Sequence, residues 1–92
     1  MDVRLYATLR GIVGRKTVHL DLQPGTTARQ LANALVQAYP ALRVELIDEN
    51  GEFRSFNKFF INGREVVYLD NKFETAIQLG DVVDIFPPVG GG

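Results

Sequence analysis

The 92-residue sequence predicts an α+β fold in which one main helix lies on one face of a mixed β-sheet. Residues 3–9 and 17–22 alternate between apolar and polar side chains, as half-buried strands do, and residues 28–39 repeat apolar side chains at helical spacing. The pair Asn62-Gly63 between two later apolar runs predicts a hairpin turn. A hairpin, one crossing helix and later strands that return to the same sheet together define this fold class.

The first two predicted strands, residues 3–9 and 17–22, form a hairpin around a loop at residues 11–15. The first strand places four apolar side chains on its inward face: Val3, Leu5, Ala7 and Leu9. Because successive side chains on a strand point to opposite faces, Tyr6 points outward. On the second strand, His19 also points outward, and a lone histidine there is most simply a surface residue.

The predicted main helix has recognisable ends. Thr27 fits the N-cap of a capping box, in which the side chain of Gln30 reaches back to the Thr27 N–H. The apolar side chains of the helix form a single stripe: Leu31, Leu35, Ala38 and Tyr39. Pro40 ends the helix because it lacks an N–H and fits poorly in a helix interior. Residues 41–47 predict a further short helix.

In the second half of the chain, the later hairpin has predicted strands at residues 58–61 and 65–67. Residues 68–76 are expected to form a connecting loop, and residues 79–81 a tight turn of which Asp81 is part. The last predicted strand covers residues 82–86.

This element order predicts the ubiquitin-like β-grasp arrangement, with a mixed sheet of four to five strands and one main helix packed on one face. Its first and last strands lie adjacent and parallel at the centre of the sheet. The alternative is a split βαβ ferredoxin-like fold, which needs a second full helix that residues 68–80 are too polar and broken to supply. We therefore expect one domain over residues 1–86, followed by an extended C-terminal Gly-Gly tail over residues 87–92.

The composition excludes several classes of protein. Apolar residues make up 46% and charged residues 23%, as in ordinary globular chains, and a net charge of −1 argues against nucleic acid as a main partner. No apolar run reaches the ~18 residues of a membrane span, and no export signal is evident, so we expect a cytoplasmic protein without membrane partners. Cysteine is absent, which rules out disulfides and thiolate chemistry. The sequence shows no phosphate-binding loop, no metal-ligand pair and no nucleophile–base pair, so no bound cofactor is expected.

The last seven residues are the most specific feature of the sequence: Phe86, Pro87, Pro88, Val89, Gly90, Gly91 and Gly92. The prolines favour an extended chain, and glycines without a Cβ atom can enter a narrow channel in another protein. We expect the C-terminal carboxylate of Gly92 to be the working group, on a tail that reaches roughly 20 Å from the fold. A tail without function is the alternative.

This ending resembles the Phe-Pro-Pro-Val-x-Gly-Gly terminus of the MoaD/ThiS family of ubiquitin-like sulfur carriers. The turn at residues 79–81 before the last strand, and the opening Leu-Tyr-Ala-x-Leu-Arg at residues 5–10 followed by Gly14, resemble the family as well. Two features depart from it. Gly90 is a third glycine, where the family often has another residue, and residues 48–57 lengthen the chain relative to the thiamine-pathway carrier.

The resemblance implies that an E1-like activating enzyme, an adenylyltransferase, joins the Gly92 carboxylate to AMP from ATP, and that a sulfur donor then converts the product to a thiocarboxylate. It implies a non-catalytic carrier that acts as the small subunit of molybdopterin synthase in molybdenum cofactor biosynthesis, with its tail inserted in the large subunit. Three other pathways remain open for the same chemistry: cysteine synthesis, tRNA thiolation and thiamine synthesis. A ubiquitin-like protein modifier would use the same carboxylate.

Three outward aromatic side chains predict a partner-binding patch beside the tail, because large exposed apolar patches usually mark such sites. The residues expected to contact partners are Tyr6, Phe60, Phe86, Pro87, Pro88, Val89, Gly90 and Gly91. Arg10, Arg15 and Lys16 also gather around the first loop. They form either a solvated surface or a contact for an acidic rim on the partner.

Overall fold

The computed structural model describes residues 1–88. They form a five-stranded mixed sheet with one long helix across one face, which confirms the predicted β-grasp fold. The strands are β1 (Asp2–Leu5), β2 (Thr17–His19), β3 (Lys58–Ile61), β4 (Arg64–Glu65) and β5 (Val83–Phe86). The α-helices are α1 (Ala7–Val13), α2 (Ala28–Ala38) and α3 (Arg43–Leu46). Short 3₁₀ helices lie at Pro40–Leu42, Val66–Tyr68 and Lys72–Glu74.

The strand order in the sheet is β2-β1-β5-β3-β4. As predicted, β1 and β5 are adjacent and parallel, with Val3 opposite Val83 and Leu5 opposite Ile85. On its other side, β5 pairs with β3 in antiparallel orientation, so that Phe59 also lies opposite Ile85. The strand that leads towards the C-terminal segment is therefore held by a neighbour on each side.

Helix α2 begins as its sequence predicts, and Leu31 and Leu35 of the predicted stripe are buried, whereas Ala38 is exposed and Tyr39 half-buried because the helix ends there. Gln30 donates its backbone N–H to the Thr27 hydroxyl at 3.2 Å, and Thr27 donates its N–H to the Gln30 side-chain oxygen at 3.0 Å, which completes the capping box. The buried face of the helix packs against the inward face of the sheet and consists of Ala28, Leu31, Ala32, Leu35 and Val36. The largest fully buried side chains include Leu5, Leu9, Leu31, Leu35, Leu42, Leu46, Phe59, Ile77 and Ile85.

The prediction of a strand over residues 3–9 is wrong beyond Leu5. Ala7 has a left-handed backbone (φ 50°), which turns the chain out of the sheet and into helix α1. Leu9 remains buried, but from the helix rather than from a strand. Helix α1 therefore includes residues 11–13 of the predicted loop. The helix is capped by Gly14, which has a left-handed backbone (φ 82°) that suits a glycine and donates its N–H to Arg10 O at 2.7 Å.

Four other features differ from the sequence prediction. The second strand ends at His19 instead of continuing to residue 22, and the return strand predicted at residues 65–67 gives way to a 3₁₀ helix at Val66–Tyr68 that buries Val66. The expected loop at residues 68–76 contains the 3₁₀ helix Lys72–Glu74. The last strand begins at Val83, because the N–H of the preceding residue bonds the Asn62 side chain at 2.9 Å.

The short helix expected at residues 41–47 is present as the 3₁₀ turn Pro40–Leu42 followed by α3. Within residues 1–88, no helix is both long and apolar enough to cross a membrane.

Candidate functional site

The face of the sheet opposite α2 carries three aromatic side chains in mutual contact, which we call the aromatic platform: Tyr6, Phe60 and Phe86. The rings of Tyr6 and Phe86 are stacked, with centroids 4.0 Å apart and planes at 13°. Phe60 meets Phe86 edge-on, with centroids 5.5 Å apart. All three residues are partly exposed. The predicted outward orientation is confirmed, and the three predicted residues form one continuous apolar surface.

A shallow groove of about 590 Å³ runs along the aromatic platform. Besides the platform, Phe56, Pro87 and Pro88 contribute to its walls, and Lys58 lies at its rim. Sequence reasoning missed Phe56, which lies in an irregular segment before β3 where no periodicity fixes its direction. The closely spaced aromatics of residues 56–60 are the one signal that could have indicated it.

The first two residues of the predicted tail lie at this groove. Pro87 is buried and Pro88 is exposed, and both line the groove beyond the end of β5. The predicted contact residues Val89, Gly90 and Gly91, and the reactive Gly92, lie outside the described residues. The described chain therefore places the base of the C-terminal segment directly beside the aromatic platform.

A buried carboxylate fixes one member of the aromatic platform. Asp84 lies on β5 directly opposite Arg4 on β1 and accepts two hydrogen bonds from it, at 2.6 Å from Nε and 3.0 Å from Nη2. Tyr6 donates its hydroxyl to the same carboxylate at 2.7 Å. The Tyr6 ring is thus held by stacking on Phe86 and by a charge-assisted hydrogen bond at its hydroxyl.

These contacts shift the protonation equilibria of the network. Burial alone would raise the pKa of the Asp84 carboxyl, but the hydrogen bonds from Arg4 and Tyr6, with the positive charge of Arg4, outweigh burial and hold that pKa below its ordinary value. The pKa of the Tyr6 hydroxyl is raised, first by its hydrogen bond to Asp84 and then by partial burial and the carboxylate charge. At neutral pH the network therefore contains an ionised Asp84 and a protonated Tyr6.

The lowered pKa of Asp84 predicts an acid-dependent loss of stability. The unfolded chain binds a proton at Asp84 more readily than the folded chain does, so the contribution is fully present above about pH 5 and disappears as the pH falls through the folded-state pKa. Asp84→Asn removes this ionisation. In urea unfolding across this range, the difference in unfolding free energy between the native chain and Asp84→Asn should shrink as the pH falls. A difference that stays constant from neutral to strongly acidic pH would contradict this account of Asp84.

The remaining residues singled out by the sequence have local roles. His19 is exposed, and its Nδ1 lies 2.7 Å from a carboxylate oxygen of Asp2. Asp81 shapes the predicted turn by accepting the N–H of Gln78 at 2.8 Å. Arg10 lies on α1, donates to Leu5 O at 3.1 Å and places its guanidinium carbon 5.3 Å from the centroid of the Tyr6 ring. Of the three cations predicted around the first loop, Arg10 is therefore the one in contact with the aromatic platform.

Residues 1–88 contain no group of three or more His, Cys, Asp or Glu side chains placed to hold a metal ion. The chemically distinctive features of this part of the chain are the exposed aromatic platform, its groove and the start of the C-terminal segment.

Comparison with known proteins identifies the family to which this chain is similar. A model of the ThiS family matches residues 3–92. Small archaeal modifier protein 3 of Haloferax volcanii is 38% identical, over 100% of this chain and 98% of that protein. The crystal structure of SAMP1 from Haloferax volcanii has a TM-score of 0.87 and 31% identity, and covers 99% of this chain and 97% of that one. A Pyrococcus furiosus structure, provisionally assigned as molybdopterin converting factor subunit 1, has a TM-score of 0.74 and 25% identity, with coverage of 96% and 95%.

The β-grasp fold and these similarities along the whole chain define a small ubiquitin-like protein of the carrier or modifier type. The chain belongs to the ThiS family, within the MoaD/ThiS group of ubiquitin-like sulfur carriers that its sequence resembles.

Proposed function

We propose that this chain is a non-catalytic sulfur carrier whose Gly92 carboxylate is adenylated and then converted to a thiocarboxylate. The observation that carries the proposal is the family match, which extends through residue 92 and so includes the terminal glycines. The described fold supports it, because the central strand β5 leads the chain into this segment beside an exposed aromatic platform.

The chemistry divides one difficult step into two easier ones. A carboxylate oxygen of Gly92 attacks the α-phosphorus of ATP, and pyrophosphate leaves, which gives an acyl adenylate. A hydrosulfide then adds to the acyl carbon and displaces AMP, which gives the thiocarboxylate. Alternatively, a donor persulfide displaces AMP to give an acyl disulfide, and a thiol cleaves the S–S bond to release the thiocarboxylate. An E1-like activating enzyme supplies ATP and the catalytic groups, while this chain supplies the carboxylate and the docking surface. The partner contacts proposed for this chain are the aromatic platform and residues 87–91.

For the acceptor, we propose molybdopterin biosynthesis, with this chain as the small subunit of molybdopterin synthase and its tail inserted in the large subunit. The similarity to the Pyrococcus furiosus protein assigned to molybdopterin conversion supports this pathway. Thiocarboxylate carriers for cysteine synthesis, tRNA thiolation or thiamine would need the same tail, and they differ from this one in the acceptor that takes the sulfur.

A second candidate function is protein modification, in which the adenylated carboxylate forms an isopeptide bond with a lysine of another protein. The names of the Haloferax volcanii relatives, small archaeal modifier proteins 1 and 3, favour it specifically. Both functions begin with adenylation of the C-terminus and differ in the nucleophile that attacks the acyl adenylate.

The intact mass of the full chain tests the two functions together. The chain is incubated with its activating enzyme, ATP and a sulfur donor, and is also purified from its own cells. A carrier should gain the mass difference between one sulfur and one oxygen atom, whereas a modifier should appear in tail-dependent adducts of much higher mass. Two variants serve as controls: deletion of Gly91 and Gly92, and addition of one alanine after Gly92, which keeps every native residue but moves the carboxylate.

The expected result is a sulfur-containing species in the full chain and in neither control. An unmodified mass under all conditions would refute adenylation as the function of this C-terminus. Adducts in the full chain without any thiocarboxylate would establish the modifier instead.

A further inference from the structure

Two ion pairs on this face of the sheet expose their cations more than their anions. In the pair Arg4–Asp84, the side chain of Arg4 is 52% exposed and that of Asp84 is 10% exposed. In the pair Lys58–Glu65, with Nζ and the carboxylate 3.6 Å apart, the corresponding values are 52% and 16%. A molecule approaching this face therefore meets the positive member of each pair first, although the chain as a whole has a net charge of −1.

Arg10 adds a third cation to the same region. Its guanidinium carbon lies 5.3 Å from the centre of the Tyr6 ring, and within residues 1–88 its one side-chain hydrogen bond runs from Nε to Leu5 O. Its Nη groups are therefore positioned to bind an external carboxylate at the edge of the aromatic platform, since a guanidinium fork matches carboxylate geometry. The far end of the sheet face differs, because Asp2 and His19 pair there with both side chains exposed.

We propose that the groove binds a protein segment in which one or two apolar side chains are flanked by carboxylates. The apolar side chains would enter between Phe56, Phe60 and Phe86, and the carboxylates would contact Lys58 and Arg10. This inference rests on the proposed function, because it specifies the chemistry of the partner surface that receives the aromatic platform. Complementary charge at the rim of an apolar interface speeds association and fixes orientation more than it raises affinity.

The same cations and aromatic rings raise the alternative of single-stranded RNA, which binds to basic grooves by stacking its bases. The geometry favours a protein segment. One face of Tyr6 and one face of Phe86 are turned towards each other at 4.0 Å, and Phe60 packs against Phe86 at 5.5 Å, so these ring surfaces are not open to stacking by bases.

A peptide titration tests this inference independently of sulfur chemistry. The ¹⁵N-labelled full chain is titrated with a synthetic peptide that has a Leu-Phe centre flanked by glutamates, with the same peptide flanked by lysines, and with oligouridine. We expect the glutamate-flanked peptide to shift the amide signals of Lys58, Phe60 and Phe86, with an affinity that falls as salt is added. The lysine-flanked peptide should bind about tenfold more weakly at low salt. Equal binding of the two peptides, shifts confined to other surfaces, or tighter binding of oligouridine on this face would overturn the proposal.

Matched variants identify the cations. Lys58→Gln and Arg10→Gln should each weaken binding of the glutamate-flanked peptide by about twofold to fivefold, as expected for exposed charge contacts. Lys72→Gln removes the same charge from an exposed 3₁₀ helix outside the groove and should change nothing. Lys58→Arg keeps the charge and should retain most of the affinity. A Lys58→Gln variant that binds as well as Lys72→Gln would contradict the role of Lys58.

The activating enzyme provides the functional readout. In an ATP–pyrophosphate exchange assay, Lys58→Gln and Arg10→Gln should raise the KM for this chain and leave kcat unchanged, because the reacting C-terminus is untouched. Exchange with an unchanged KM in both variants would refute the proposal that carboxylates on the partner contact Lys58 and Arg10. The carrier function would not be affected by that result. No exchange with the native chain would refute the carrier function, and the peptide titration would still decide the chemistry of the groove.

Discussion

Replacing Phe86 with alanine is expected to weaken binding of the chain to its activating enzyme by about tenfold to a hundredfold. Phe86 is the central ring of the aromatic platform, stacked on Tyr6 and in a T-shaped contact with Phe60. Its removal takes away the middle of the apolar surface and the support of both neighbouring rings. Aromatic side chains at the centre of an interface carry a disproportionate share of binding energy. Titration calorimetry of the full chain against the activating enzyme without ATP measures the effect.

Tyr68→Ala is the matched control for this experiment. Tyr68 is 81% exposed on the 3₁₀ helix Val66–Tyr68 and does not line the groove, so its removal should leave the affinity unchanged. Amide NMR spectra of both variants establish that the fold is retained. Native-like affinity of Phe86→Ala, or an equal loss in Tyr68→Ala, would show that the aromatic platform is not the binding surface.

Much of the fold was predictable because local chemistry specifies it. The capping box of Thr27 and Gln30 marks the start of α2 in the sequence alone, and its hydrogen bonds are present in the structure. The Asn62-Gly63 pair likewise predicts its hairpin, since both residues adopt the positive φ values that a type I′ turn requires. The strands from the two ends of the sequence, β1 and β5, pair at the centre of the sheet as the β-grasp prediction requires.

Helix α1 was missed because its apolar spacing fits two periodicities. Val3, Leu5, Ala7 and Leu9 alternate like a strand, but Leu5, Leu9 and Val13 also recur every four residues, as on a helix. What decides between them is the left-handed backbone of Ala7, which turns the chain out of the sheet. Alanine carries no signal for that conformation, which local sequence chemistry assigns to glycine or asparagine.

Part of the candidate site was likewise predictable from local sequence, and part depends on how the strands pair. Alternation alone placed Phe60 and Phe86 outward, because strand geometry fixes the direction of each side chain. The burial of Asp84 was not predicted, because a carboxylate on an uncovered sheet face is ordinarily solvated. It depends on the parallel register, which sets Arg4 opposite Asp84, and on the ring of Tyr6, which brings its hydroxyl within 2.7 Å. The outward-facing charges of Arg4 and Asp84 therefore indicate an ion pair only once the register of β1 and β5 is known.

Replacing Phe59 with alanine should cost about 3–5 kcal/mol of folding stability, the range for removing a fully buried phenylalanine. That is a large part of the roughly 5–15 kcal/mol that stabilises a domain. Phe59 is buried on the inward face of β3 and meets Phe53 and Phe73 edge-on, both with centroids 5.8 Å away. Phe53 lies in the connection between α3 and β3, and Phe73 lies in the 3₁₀ helix Lys72–Glu74 of the connection between β4 and β5, so the cavity left by Phe59 would loosen both connecting segments as well as the core.

Arg29 joins the same two segments from outside, because it pairs with Glu52 and Glu74, the neighbours of Phe53 and Phe73. Both carboxylates are solvated, so Arg29→Ala should cost no more than about 1–2 kcal/mol, well below Phe59→Ala. Phe56→Ala makes the same substitution at a half-exposed ring and should change stability little. Urea unfolding of the three variants ranks them. A loss in Phe59→Ala no greater than in Arg29→Ala would mean that the ion pairs, not the aromatic core, hold these segments to the sheet.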